Sequence, residues 1–177
     1  MRSKAYLVLL GLILLTLALV VRSGLLARKE PGRPINAAMR EAMNEESPQL
    51  SEADITVIRQ KYGNARRLHS GLLYVERNPG TGSSTPRSGQ EVIVQYDGRL
   101  LDGTPVDSSY RRGAPYTFRL GAGEAIQGWD EALLTMRKGE KRTLIIPYWL
   151  GYGITGRPPV IPPRATLVFD VELLDIR

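Results

Sequence analysis

The chain has 177 residues, of which 42% are hydrophobic and 24% are charged, with no cysteine and a single histidine, His69. This composition is typical of a folded globular protein, and the lack of cysteine excludes disulfides, thiolate zinc sites, iron–sulfur clusters and cysteine nucleophiles. The net charge of +6 arises mostly before residue 69, where 11 Lys/Arg accompany 6 Asp/Glu, against 13 and 12 after it, so nucleic-acid binding by the folded part is not expected.

The N-terminal segment Ala5 to Val21 contains seventeen residues without a charge and follows Arg2 and Lys4. Signal peptides carry apolar stretches of ~7–15 residues and spanning helices need ~17–25, so the length alone fits either. No clean cleavage site follows, which favours an uncleaved signal-anchor over residues 1–28. A count of flanking charges would keep the C-terminal part in the cytoplasm. The short basic head instead favours export, so we expect a membrane-anchored, extracytoplasmic domain, periplasmic if the protein is bacterial.

Residues 29–68 are predicted to form a breaker-rich linker and a short helical stalk. An Ala- and Glu-rich helix is expected over 36–46. Residues 51–54 (SEAD) resemble a capping box, and apolar residues recur at helical spacing over 55–62. Two alternatives to a stalk remain open: an extension packed on the main domain, or a dimerising element.

After Ser70, apolar and polar residues alternate as in β-strands, and this change marks the start of the main domain, residues 69–177. Asp102-Gly103 is a turn signal within one of the candidates. The strand candidates are Leu72–Glu76, Glu91–Tyr96, the region Arg99–Val106, Pro115–Leu120, Arg142–Pro147 and Thr166–Leu174. In the last of them, Leu167, Phe169, Val171 and Leu173 share one face, and Val168 lies on the other.

One amphipathic helix is predicted from the spacing of Trp129, Ala132, Leu133 and Met136, which places all four on one face. Acidic residues at 130–131 and basic residues at 137–138 complement the helix dipole, and Gly139 is expected to be the C-cap. The fold class is therefore α+β, a mostly antiparallel sheet of five to six strands with one short helix across it.

Apolar and aromatic residues also occur in the loops around these elements, where rigid Gly- and Pro-rich segments hold them in place. Such residues are typical of a preformed pocket, although core packing is the favoured explanation for any single aromatic. Trp149 is either a rim residue or a packing residue. The loop residues concerned are Val106, Asp107, Ile126, Tyr152, Val160 and Ile161.

Three segments together resemble the FKBP-type peptidyl-prolyl cis-trans isomerases: VIVQYDGRLLDGTPVDSS, PYTFRLGAGEAIQGWDEALLTMRKGEKRTLIIP and GYGITGRPPVIPPRATLVFDVELL. The resemblance covers residues 69–177. It implies a curved sheet wrapped around one helix, with an aromatic pocket between them.

The resemblance also implies the roles of individual residues. Trp129 would form the floor beneath the prolyl ring, Tyr152 would donate to a substrate carbonyl, and the Ile126 N–H would hold the peptide backbone. The expected catalytic residues are Tyr96, Asp107, Tyr152 and Phe169. The expected substrate-binding residues are Val106, Arg112, Tyr116, Phe118, Ile126, Trp129, Val160 and Ile161, with Asp107 paired to Arg112.

Rotation about an Xaa–Pro bond breaks no bond, so the chemistry needs no cofactor, metal or nucleophile. The implied partners are proline-containing polypeptides, macrolide inhibitors and, through the N-terminal helix, a membrane. Val106 replaces the aromatic that most active relatives carry, and Arg157 replaces a flap histidine. A non-catalytic peptide-binding or chaperone module is therefore the alternative. A third possibility is a scaffold subunit recruited through residues 30–68.

Overall fold

The computed structural model describes residues 48–177, which form seven strands and four short helical segments. The strands are β1 (Arg66–Arg67), β2 (Leu73–Pro79), β3 (Glu91–Leu100), β4 (Pro105–Ser108), β5 (Tyr116–Arg119), β6 (Glu140–Ile146) and β7 (Leu167–Ile176). The helices are α1 (Glu52–Lys61), α2 (Ser109–Arg112) and α3 (Gln127–Leu133), with a 3-10 helix at Tyr148–Leu150.

All seven strands join one antiparallel sheet in the order β1-β2-β6-β7-β3-β4, and β5 pairs with the other end of β3. The prediction of an antiparallel sheet is confirmed, but the count of five to six strands is wrong. The strand β1 has only two residues, both arginine, and so carries no alternation that a sequence pattern would detect.

The central strand β7 divides the apolar side chains between the two faces of the sheet. Leu167, Phe169, Val171 and Leu173 are all buried in the main core, as the alternation predicts. Val168 points the other way and joins a second, smaller cluster. Both faces of this strand are therefore covered by apolar groups.

The helix α3 packs against the main core through Trp129, Ala132 and Leu133, and Met136, three residues beyond its end, joins them as predicted; all four are at most 3% exposed. It is shorter than predicted, because the N–H groups of Thr135 and Met136 bond to carbonyls three residues earlier and tighten the chain. The C-cap is Leu134, so the assignment of Gly139 as C-cap is wrong. Gly139 instead adopts φ 79° in the turn before β6 and donates to the Leu173 carbonyl at 2.7 Å.

The helix α1 covers the outer face of the sheet. Its N-cap is Ser51, whose hydroxyl accepts from the Asp54 N–H at 3.1 Å, as the capping signal predicts. Ile58 is buried against Ile145 and Val168. Of the possibilities for this segment, the packing agrees with an extension lying on the main domain.

The predicted apolar segment at residues 5–21 and the predicted helix at 36–46 lie outside the described residues. Within residues 48–177, no helix has the length and hydrophobicity needed to cross a membrane.

Candidate functional site

A cavity of about 540 Å³ opens between α3, the inner face of the sheet and the loop of residues 151–165, here called the flap. Eleven of the twelve residues predicted for the site line it, although they come from distant parts of the sequence. They are Tyr96, Val106, Asp107, Arg112, Tyr116, Ile126, Trp129, Tyr152, Val160, Ile161 and Phe169.

Aromatic rings pack edge to face at the floor of the cavity. The Trp129 ring centroid lies 4.8 Å from that of Tyr96 and 5.2 Å from that of Phe169, at interplanar angles of 78° and 85°. The buried indole N–H of Trp129 has no hydrogen-bond partner in the part of the chain described here. Neighbouring rings thus hold the Trp129 ring on several sides.

The structure places Phe118 behind the cavity wall rather than on it. Phe118 is 2% exposed, and its ring stacks on Tyr116 at 5.2 Å and lies 5.9 Å from Trp129. Its position on β5 fixes the Tyr116 ring, which does line the cavity. Phe118 therefore supports the wall from within the core.

The polar side of the cavity is a three-residue network. The Tyr96 hydroxyl donates to Asp107 Oδ2 at 2.5 Å, and the Arg112 guanidinium donates to that hydroxyl. Arg112 Nη1 also lies 3.4 Å from Asp107 Oδ2, which is the pair expected from the sequence. The same guanidinium lies over the rings of Tyr96 and Tyr116, at 5.3 and 5.9 Å from their centroids.

Local sequence explains how Arg112 reaches this network. Ser108 caps the short helix α2 by accepting from the Arg111 N–H, and Gly113 closes it with φ 72°. The Ser109 hydroxyl accepts from the Tyr96 N–H at 2.8 Å and so joins α2 to β3. The helix α2 therefore directs the Arg112 side chain back over the Tyr96 ring.

The Tyr96 phenol titrates well above its ordinary range. Burial raises its pKa most, and the hydrogen bond to Asp107 and the charge of that carboxylate raise it further, against a smaller opposite effect of Arg112. At neutral pH the hydroxyl is therefore protonated and remains a hydrogen-bond donor to Asp107.

Two donors on the cavity wall have no internal partner. The backbone N–H of Ile126 meets no acceptor within residues 48–177, and the Tyr152 hydroxyl makes no hydrogen bond to any described residue. Both residues line the cavity. An extended peptide, which presents carbonyl oxygens, would satisfy them.

The flap is closed on itself by backbone hydrogen bonds. Arg157 and Ile161 exchange N–H···O bonds of 2.8 and 3.0 Å, and the Gly153 N–H donates to the Tyr148 carbonyl at 2.8 Å. Ile161 is 2% exposed whereas Val160 is 49% exposed, so the flap buries one of its two aliphatic residues and presents the other at the rim.

Five lining residues were not among those predicted: Glu124, Ala125, Arg157, Pro158 and Pro159. Glu124 is oriented by its carboxylate, which accepts from the Arg119 N–H at 2.9 Å. Arg157 was recognised only as a departure from the family pattern. Neither position has a local sequence signal, since the path of the loop alone brings it to the cavity.

Trp149 lies away from this cavity and is a packing residue, the second of the two possibilities for it. Its indole N–H donates to the Ser70 carbonyl at 2.9 Å. No group of three His, Cys, Asp or Glu side chains suited to a metal ion occurs in residues 48–177.

Comparison with known proteins gives a consistent result. A sequence model of the family described as FKBP-type peptidyl-prolyl cis-trans isomerase matches residues 82–174. The chain is 47% identical over 106 residues to peptidyl-prolyl cis-trans isomerase Fkbp12 of Drosophila melanogaster, covering 60% of this chain and 98% of that protein. It is 45% identical over 117 residues to peptidyl-prolyl cis-trans isomerase FKBP15-2 of Arabidopsis thaliana, covering 66% and 70%.

Among solved structures, FkpA from Escherichia coli superposes with a TM-score of 0.63 at 37% sequence identity. The alignment covers 95% of this chain and 71% of that one.

Proposed function

The chain belongs to the FKBP-type peptidyl-prolyl cis-trans isomerase family, and on this premise we propose that the cavity between α3 and the flap is its active site. The reaction is rotation about the peptide bond that precedes proline in a polypeptide. The barrier arises from amide resonance and is ~18–20 kcal/mol, so uncatalysed exchange takes tens to hundreds of seconds.

The cavity acts by preferring the twisted amide over the planar one. Twisting removes resonance and reduces the charge separation of the amide. The twisted form therefore loses less hydration free energy than the planar form when it enters an apolar site. Every 1.4 kcal/mol of this preference accelerates rotation about tenfold. The ring of Trp129 supplies the surface beneath the prolyl group, with Tyr96 and Phe169 as its fixed neighbours.

The observation that carries this assignment is that Ile126 and Tyr152, which line an aromatic cavity, each have a donor without a partner in residues 48–177, the Ile126 N–H and the Tyr152 hydroxyl. We expect these donors to hold peptide carbonyls while the prolyl ring lies on Trp129. Holding the backbone on either side of the bond leaves that bond as the one free to rotate.

The charged network takes the remaining side of the site. Asp107 faces the rotating amide, and Arg112 offsets its charge, so the carboxylate remains at the cavity without an unpaired charge against apolar rings. Val106 lines the same wall with a smaller side chain than an aromatic. We expect it to lower affinity for bulky macrolides rather than to abolish turnover.

The test is an isomerisation assay on peptides of the form Xaa–Pro, measured by NMR exchange so that no coupling protease is needed. We expect exchange to accelerate in proportion to enzyme concentration, and a macrolide that fills the cavity to suppress it. Exchange at the buffer rate, with peptide binding retained, would instead identify a non-catalytic binding module.

We propose further that residues 5–21 anchor the protein in a membrane with the isomerase domain outside the cytoplasm. The support is the uncharged segment behind Arg2 and Lys4. Compartment-sensitive reporters fused after Arg177 test this proposal. Activity of a reporter that works only in the cytoplasm, and not of one that works only outside it, would show the opposite orientation.

A further inference from the structure

The flap joins the rest of the protein at two stems, and each stem is bonded to the segment that precedes the main core. The first stem is the 3-10 helix Tyr148–Leu150, and the second is Thr166, immediately before β7. The segment of residues 51–70 contacts both.

At the first stem, the indole N–H of Trp149 donates to the Ser70 carbonyl at 2.9 Å. Gly71, with φ 97°, permits this approach, because a Cβ there would lie 2.9 Å from the Trp149 ring. The indole is thus packed and bonded against the turn that leads into β2. Its backbone neighbour Tyr148 accepts the Gly153 N–H and so ties this stem to the flap.

At the second stem, the Thr166 hydroxyl donates to Asp54 Oδ2 at 2.5 Å, and Thr166 is 3% exposed. Asp54 is itself held, since its N–H donates to the Ser51 hydroxyl at the start of α1. Behind this contact, Ile58 on the same helix packs on Val168, two residues beyond Thr166. A polar and an apolar contact therefore fix this stem to α1.

Hydrogen bonds within the flap link the two stems to the cavity wall. The Arg164 N–H donates to the Gly153 carbonyl at 3.2 Å, and the Gly156 N–H donates to the Tyr152 carbonyl at 3.1 Å. Both stems are therefore connected by hydrogen bonds to the part of the flap that carries Tyr152.

We infer that Asp54, acting through Thr166, and Trp149, acting through Ser70, are positioning residues that hold the flap in register with the cavity. Residues 51–70 would then be a working part of the isomerase rather than a passive spacer. The inference rests on the proposed function, because the flap carries Tyr152.

The test compares Thr166→Val with Thr166→Ser in the full chain, since valine has the same shape but no hydroxyl and serine keeps it. Trp149→Phe removes the indole N–H of the other stem and provides an independent variant. Thr56→Val is the matched control, because among residues 48–177 the Thr56 hydroxyl bonds only to the Glu52 carbonyl within α1, at 2.9 Å. Isomerase kcat/KM and amide hydrogen exchange at flap residues 153–161 and at α3 are measured for each variant.

We expect Thr166→Val and Trp149→Phe each to lower kcat/KM about 3- to 10-fold, the loss that follows one hydrogen bond. Flap amides should exchange faster while α3 amides exchange as in the wild type, and Thr166→Ser should restore both values. Wild-type kcat/KM and flap exchange in both variants would overturn the inference, as would equal acceleration in the flap and α3. If the wild type has no isomerase activity but flap amides still exchange faster in Thr166→Val and Trp149→Phe than in the wild type, the inference stands and the proposed function is refuted.

Discussion

Gly98 on β3 lies directly opposite Phe169 on β7, and the Phe169 ring occupies the space that a side chain at Gly98 would need. Gly98 is buried, and Phe169 forms part of the cavity wall. The absence of a single methyl group therefore allows this ring to lie against the backbone of β3.

Gly98→Ala should displace the Phe169 ring and strain the strand pair. We expect a loss of about 1–3 kcal/mol in the free energy of unfolding and a fall in kcat/KM. Denaturant unfolding and the isomerisation assay measure the two effects. The double variant Gly98→Ala, Phe169→Leu should recover part of the stability, and a Gly98→Ala protein with wild-type stability would contradict the packing argument.

Tyr152→Phe tests the donor at the flap. The hydroxyl has no partner among the described residues, so its removal should change the free energy of unfolding by less than about 0.5 kcal/mol. It should lower kcat/KM about 3- to 10-fold if the group binds a substrate carbonyl. Tyr148→Phe is the control, because Tyr148 borders the flap but does not line the cavity. Equal activities of the two variants would argue against the assigned role.

Asp107→Asn keeps the shape of the side chain and removes its charge from Tyr96 and Arg112. Because the Asp107 and Arg112 side chains are 43% and 49% exposed, we expect a stability change below about 1 kcal/mol. The activity should fall more than this stability change explains, since Arg112 would then carry an unbalanced charge at the cavity. Asp97→Asn, at an exposed position on β3, should leave kcat/KM unchanged.

The raised pKa of Tyr96 predicts a pH dependence of stability. The unfolded phenol ionises near its ordinary value of 10.0, whereas the folded phenol stays protonated beyond it. The contribution of Tyr96 is therefore fully present below pH 10 and is lost as the pH rises above it. Between about pH 8 and pH 11, the free energy of unfolding should decrease less steeply with pH in Tyr96→Phe than in the wild type. The same pH dependence of stability in both proteins would show that folding does not raise the pKa of Tyr96.

Glu140 and Arg142 form a buried ion pair, 4% and 6% exposed, with Arg142 Nε 2.5 Å from Glu140 Oε1. The pair closes the turn after α3, since Glu140 accepts from the Arg137 N–H and Arg142 donates to Thr135. Glu140→Gln leaves a buried charge without its partner and should cost about 3–5 kcal/mol of stability.

The pair Lys141–Glu172, at 2.9 Å with side chains 49% and 23% exposed, is the control for that variant. Glu172→Gln should cost less than about 1 kcal/mol, because this pair is much more exposed to water than Glu140–Arg142. An equal loss of stability in Glu140→Gln and Glu172→Gln would show that burial does not explain the contribution of the Glu140–Arg142 pair.

Much of the fold follows from local patterns. The alternation along β7 predicts which side chains enter the core, and the spacing from Trp129 to Met136 predicts the buried face of α3. The end of α3 was missed because the chain tightens before Gly139 while Met136 still reaches the core. The burial of Arg142 was also missed, since its partners lie in a turn whose shape depends on tertiary packing.

The site was predictable to the extent that its residues belong to a recognised pattern. Glu124 and Arg157 reach the cavity only because of the paths of their loops, which no local signal describes. The contacts of Trp149 with Ser70 and of Asp54 with Thr166 join residues separated by 79 and 112 positions. Hydrophobic periodicity, which is a local pattern, therefore cannot predict them.

The helix on the outer face of the sheet bears on any attempt to isolate the enzymatic part. A protein shortened to begin at Ser70 would leave Ile145 and Val168, both fully buried here, uncovered on the side of the sheet that Ile58 occupies. Molecules with this apolar surface exposed would aggregate, so we expect the shortest form of this isomerase that stays monomeric to begin before Ser51.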